Sequence, residues 1–247
     1  SRRQRQMCIR DRCRETSTLG TYNFGFAMKN KEDIASSFLQ MIYSAGGTLR
    51  SLDTENCMKL YEMLGNMRDE GIIDQDVINW NQKELMKAFS RGYVKIAIAE
   101  LSSMSILENS DRKCKYKIAE IPYIQKQTYL LQGDNIGITV TADMEESIKL
   151  LDYLTSREVI KSYYENTYCL SVRTDIKVNP GLVRGLPDEF VERERKQSIL
   201  KNAYTTWFII SDGIAGNLTD FLGDKSMTPE EVSKRLQGDI RNAILER

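Results

Sequence analysis

The 247-residue chain contains no histidine. That absence excludes Cys/His zinc sites, the serine–histidine pair and the cysteine–histidine pair as sources of chemistry. Its five cysteines are scattered without a CxxC spacing. Cys13, Cys57, Cys114 and Cys169 therefore read as small buried hydrophobes more readily than as a disulfide framework. There is no run of eighteen apolar residues, hence no membrane-spanning segment in the sequence. Net charge is absent too: 35 Lys plus Arg balance 35 Asp plus Glu, so no polyanionic partner and no nucleic acid is implied. What is present is ordinary for a globular protein, with 41% apolar and 28% charged residues, enough for one large or two small domains.

The first twelve residues stand apart. Arg2 to Asp11 agree residue for residue with one reading frame of a common transposase sequencing adapter, and its leftover bases account for Arg12. The rival reading is a basic arm for nucleic acid or membrane. Residues 1–12 are accordingly set aside as an adapter-derived scar. The expectation that follows is a fragment whose true N-terminus is missing, so that the lack of a signal peptide is silent about location. Without the scar the chain is slightly acidic.

Tyr22 to Met28 alternates and is rich in aromatics, which predicts a strand. A helix follows with Ile34, Phe38, Met41, Ile42 and Ala45 on one face, ended by Gly46-Gly47. Thr54 is placed to cap a helix that buries Cys57, Tyr61, Leu64 and Met67 and stops at Gly71. Gln82 to Ser90 predicts a short helix closed by Gly92. Tyr93 to Leu101 is the best strand in the sequence, and Tyr116 to Ile121 predicts another. Gly133-Asp134-Asn135-Ile136-Gly137 leads into Ile138-Thr139-Val140, which reads as a short buried strand. Asp143 with Glu146, and Thr155 with Glu158, have the spacing of capping boxes opening two helices. Met144, Ile148 and Leu151 share a face of the first; the second carries Ile160, Tyr163 and Tyr164. Leu170 to Val172 is extended again. From Asp188 the chain reads as helical to its end, with Phe190 to Asn202 charged and at the surface. Thr228-Pro229-Glu230-Glu231 opens a last helix burying Val232, Leu236, Ile240 and Ala243.

Several of these runs carry a resemblance. FLQMIYSAGGTLRSLDTENCMKLYEMLGNMRDEGIID (38–74), ELMKAFSRGYVKIAIAE (84–100), YKIAEIPYI (116–124) and LLDYLTSREVIKSYYENTYCLSVRTD (150–175) follow one another in a familiar order. Together they resemble the extracellular solute-binding proteins of carbohydrate ABC transporters, a maltose-binding-protein-like, sugar-binding family. The likeness spans about Tyr22 to Arg247. It implies an α/β fold of the periplasmic-binding-protein-like, two-lobed type (type II), here one nearly complete lobe plus a remnant of the other. Residues 20–125 would belong to the second (C-terminal) lobe and 128–180 to the returning part of the first (N-terminal) lobe. Residues 188–247 would be a helical C-terminal segment of the second.

The resemblance also implies a role. Such a protein captures a sugar or oligosaccharide between its lobes and delivers it to permease subunits, with no cofactor, no metal and no catalytic residue. Location would be extracytoplasmic, periplasmic or as a cell-surface lipoprotein, with the membrane touched only through a lost N-terminal anchor. Peptide, polyamine or another polar solute stays open as ligand. Alternatives from other classes are a glycosidase-like enzyme, which needs two acids across a cleft, and an intracellular helical interaction module.

A sugar site needs flat aromatic faces and polar groups for hydroxyls, and such pockets lie between domains. Trp207 is the first candidate, since the family presents an aromatic from the corresponding helix; a core tryptophan beside Phe208 and Ile209 is the other reading. Glu100, Ser102 and Ser103 end the Tyr93–Leu101 strand, where the family often has a glycine and a tryptophan; plain strand-end solvation explains them equally. Gly133, Asp134 and Asn135 either face the cleft or simply make a turn. Asp33, with Glu32, either faces the cleft or sits as a solvated carboxylate in the first turn of a helix. Trp80 either covers a ligand or tucks onto its own lobe.

Overall fold

A computed structural model describes residues 22–73, 75–109, 114–133, 135–176, 196–201 and 204–245. Strand β1 (Tyr22–Phe26) pairs in parallel with β2 (Val94–Ile98), Phe24 opposite Ile96 and Phe26 opposite Ile98. Ile73 adds a further parallel rung beside Phe24, whose N–H donates to Ile72 O at 3.2 Å. Parallel pairing requires crossovers, and helices α1 (Lys31–Ser44), α2 (Glu55–Asp69) and α3 (Gln82–Ser90) supply them. A Cβ on Gly25 would come within 2.9 Å of Leu85 Cδ1, so α3 packs on the strand where a larger residue would push it away.

The helix boundaries have local causes. Thr54 accepts from the Cys57 N–H at 3.3 Å to cap α2. Asn81 and Glu84 form a reciprocal capping box on α3. Gly46, Gly71 and Gly92 follow the helices at positive φ of 82°, 68° and 81°, where a side chain would be strained. After β2 come a short helix, α4 (Met104–Glu108), then β3 (Tyr129–Leu131), α5 (Met144–Leu154) and α6 (Arg157–Thr167). Next is β4 (Ser198–Leu200), followed by two long helices, α7 (Trp207–Gly223) and α8 (Pro229–Leu245). Thr228 and Glu231 exchange hydrogen bonds of 2.9 and 3.2 Å at the start of α8.

One core joins the two ends of the chain. Phe26, Phe38, Ile42, Tyr61 and Leu64 from β1, α1 and α2 are buried with Ile210, Ile214, Phe221, Val232, Leu236 and Ile240 from α7 and α8. The predicted buried face of α8 is thus present in full. Cys57 is buried as a free thiol, so tightly that a Cβ on Gly47 would collide with its sulfur. Cys114 and Cys169 are free as well.

Four local expectations are corrected. Ile138 to Val140 is not a strand, and Val140 is fully exposed: among the described residues no backbone offers it a ladder. Tyr116 to Ile121 has no regular structure and pairs with no strand among the described residues. The second capping position moves by one. Ser156 caps α6 through Val159 N–H at 3.4 Å, while the Thr155 hydroxyl turns back to Leu151 O at 2.7 Å and closes α5. The segment after Asp188 is not wholly helical, because Ser198–Leu200 is taken up as a parallel partner of Tyr129–Leu131. The rest of the stretch 190–202 falls largely outside the described residues.

Helices α5 and α6 contain no buried residue. The periodicity expected of them is there, but Met144, Ile148, Tyr153 and Tyr163 are all about half exposed or more. An apolar stripe of this kind belongs against another element.

Candidate functional site

Parallel strands aim their carboxyl ends at one edge of the sheet, and ligands of α/β proteins bind beyond that edge. Here β1 leads into Ala27–Asn30 and the start of α1, and β2 leads into Ala99–Ser103. The two exits are tied to a third loop: the Met28 and Lys29 N–H groups both donate to Trp80 O, at 2.8 and 3.0 Å. Trp80 is half-buried and packs against the core, which is the tucked arrangement for that residue.

Asp33 lies within this edge. Its carboxylate accepts from Asn30 Nδ2 at 3.2 Å and from the Gln82 backbone N–H. Gln82 Oε1 in turn accepts from the Ser103 hydroxyl at 3.3 Å, and Ser103 is buried. Asp33 and Ser103 are therefore linked through one glutamine that sequence inspection did not single out. Glu100 accepts from the Ser102 hydroxyl at 3.4 Å. Nearby, Lys29 pairs with Glu84 at 3.2 Å.

Burial pushes the Asp33 carboxyl above its ordinary range, outweighing the hydrogen bonds from Asn30 and Gln82 that pull it down. The unfolded chain thus releases this proton at lower pH than the folded one. Asp33 supports the fold fully below its ordinary value of 3.8, and that support is lost as pH rises through the folded value. Asp33→Asn is accordingly expected to raise the melting temperature at neutral pH, with the gain vanishing in acid. Thermal melts of both proteins across that range check it; a gain that persists at low pH would contradict the burial argument.

A second group gathers where α1 and α7 begin. The Trp207 indole Nε1–H donates to both Glu32 carboxylate oxygens, at 3.1 and 2.9 Å. The Lys201 ammonium sits over the indole ring, 4.0 Å from its centroid, and pairs with the same carboxylate. Burial draws the Lys201 pKa below the usual lysine range. Lys31 and Asp212 form a further pair at 2.7 Å beside them. Trp207 is only partly buried: it packs against the core and keeps part of its surface open.

Lys201 went unnoticed in the sequence, lying in a charged run read as surface helix. Only the β3–β4 pairing places it, since its N–H donates to Leu131 O at 3.3 Å. Gly133 and Asn135 are exposed, just past β3; neighbouring Gln132 accepts from the Ser36 hydroxyl at 2.9 Å. Asp134 lies outside the described residues. The structure thus joins Asp33 to Ser103 and Glu100 to Ser102. It sets Trp207 against Glu32 and Lys201, and it shows no bond between Gly133 or Asn135 and either group. Among the described residues no three potential ligands converge on a metal position, and no helix is long and apolar enough to cross a membrane.

No protein-family model and no curated protein matches this sequence. Solved structures do match it. The maltose-bound MalE3 of T. maritima superposes with a TM-score of 0.81 at 16% identity, over 96% of this chain and 64% of its own. An ABC substrate-binding protein from Listeria monocytogenes in complex with cycloalternan gives 0.79 at 12% identity, over 97% and 63%. An ABC transporter solute-binding protein from Thermotoga lettingae bound with alpha-D-tagatose gives 0.77 at 19%, over 96% and 63%. The chain spans somewhat less than two thirds of the length of each. Its fold is that of the two-lobed sugar-binding proteins of ABC transporters.

Proposed function

We propose that the chain is part of the substrate-binding component of an ABC importer, which closes two lobes around a sugar or oligosaccharide and presents it to a permease. The outcome is recognition, with affinity for the closed form as the driving term and no bond made or broken. The observation that carries this reading is the shared fold, to which the Trp207 group adds a suitable chemistry. An indole face and a carboxylate at one spot supply a stacking surface and a hydroxyl acceptor.

The division into lobes rests on two supports. Residues from β1, α1, α2, α7 and α8 share one core, as a nearly complete second lobe would. The segment from β3 to α6 leaves its apolar stripe open, as a part of the first lobe lying apart from that core would. An extracytoplasmic location, a lipid anchor and permease subunits as partners belong to the same proposal. An intracellular helical module is disfavoured by the parallel sheet and by the fold match.

Calorimetric titration with maltose, tagatose and longer neutral oligosaccharides tests the reading. One of these should bind and be recovered unchanged. Trp207→Ala should weaken that binding by about tenfold to a hundredfold, the range for removing a stacked aromatic anchor. Binding by none of the panel, or turnover of a bound sugar, would overturn it.

A further inference from the structure

Among the described residues Lys201 is the cation that lies over the aromatic face at this site, and its placement has a consequence for access. Its ammonium lies 4.0 Å from the Trp207 ring centroid and is held there from the side by Glu32. The indole N–H is also committed, to the same carboxylate. One face and the polar edge of the ring are thus both occupied by the protein's own groups. We propose that Lys201 is a gate and specificity-determining residue: its side chain covers the Trp207 face, and a neutral sugar ring stacks there only by displacing it.

The geometry makes displacement cheap. The backbone of Lys201 is fixed by its N–H bond to Leu131 O at the end of the β3–β4 ladder, so the strands need not move. Only the flexible four-carbon stem has to swing. The interactions given up are a cation–π contact and an ion pair whose partner, Glu32, is half exposed. Such contacts are individually weak, and together they set a barrier of about tenfold in affinity. A ligand bearing its own ammonium would replace Lys201 on the ring and on Glu32, whereas an anionic ligand would meet the Glu32 carboxylate. The gate therefore discriminates by charge as well as by shape.

This inference rests on the sugar-binding reading for its ligand, but the gate can be tested apart from it. In a Trp80→Phe background Trp207 is the sole tryptophan, and quenching of its fluorescence by acrylamide reports access to the ring. Lys201→Met should raise that access several-fold. Glu32→Gln, which keeps a bond to the indole but removes the charge holding Lys201, should raise it partly and stands in if the first variant fails to fold. Unchanged quenching in both variants overturns the gate. With maltose or whichever panel sugar binds, Lys201→Met should tighten binding about tenfold. Added salt should tighten binding to the parent and leave Lys201→Met unaffected. Weaker or equal binding by Lys201→Met overturns the proposal, for Lys201 would then be a ligand contact. Raised quenching with no sugar bound by any variant supports the gate and rejects the sugar reading alone.

Discussion

Arg68→Ala is expected to lower the melting temperature by roughly 10 °C or more, the largest loss from any single polar substitution proposed for this chain. Arg68 is 5% exposed, in the last turn of α2, and its guanidinium reaches across to the end of α7. Nη1 donates to Phe221 O at 2.6 Å, Asp224 O at 2.8 Å and Met227 O at 3.1 Å, and Nη2 to Lys225 O at 3.4 Å. The last carbonyls of a helix have no partner within it, and the helix dipole concentrates negative charge there. One buried cation supplies both the missing donors and the opposite charge. Nε is fixed by Asp69 at 2.8 Å, and the guanidinium packs over the Phe221 ring at 4.9 Å. Removing it strands several buried carbonyls, at a cost on the order of 3–5 kcal/mol. Arg68→Met separates the terms, because it keeps the aliphatic contact and still loses the donors. It should be nearly as damaging as alanine, with Arg68→Lys in between. If methionine melted like the parent, the carbonyls would be served by water and the argument would fail.

Arg68 also shows where sequence legibility ends. Thr54 and Thr228 were readable as helix starts because a cap acts within three residues of itself. The face of α8 was readable because Val232, Leu236 and Ile240 repeat with the helix. Arg68 caps a helix more than 150 residues away, and nothing near it in the chain announces that. The same limit explains Ser198–Leu200. Three residues in a charged stretch carry little intrinsic preference, and the available edge of β3 decides their conformation. Ile138–Val140 is the converse case, a sequence suited to a strand with no described edge to join.

The candidate site divides along the same line. Asp33, Glu100, Ser102 and Ser103 could be nominated because strand ends and helix starts can be located from local pattern. Trp207 was nominated through family resemblance. Glu32 was named beside Asp33 but not as a partner of Trp207, and Lys201 and the glutamine linking Asp33 to Ser103 were not singled out, since each contact joins separate segments. A charged residue in a polar run has no sequence mark distinguishing a solvated side chain from one laid across an indole.

Gln40→Leu is expected to destabilise the β3 segment by about 2–4 kcal/mol, although leucine matches the volume and is a good helix former. Gln40 is buried on α1 and behaves as a detached peptide group. Its Nε2 donates to Thr128 O, and its Oε1 accepts from Leu130 N–H at 2.6 Å. Ser36 lies one turn before it and bonds Gln132; Ser44 lies one turn after, its carbonyl accepting from Gln125 and Lys126 N–H at 2.9 and 3.1 Å. Residues 36, 40 and 44 thus line one side of a largely buried helix, against which residues 125–132 run, ending in β3. Leucine would leave one buried donor and one buried acceptor unpaired, each worth about 1–3 kcal/mol. Hydrogen exchange at the Leu130 amide should accelerate sharply in Gln40→Leu, while amides in the α7–α8 pair keep their protection. Because β3 is the strand on which β4 and Lys201 are registered, the same variant should also loosen the Lys201–Trp207 contact, seen as greater quenching of Trp207 in the Trp80→Phe background. Retained protection at Leu130 would show that water or a rotated backbone replaces the glutamine, and that α1 does not hold the segment in place.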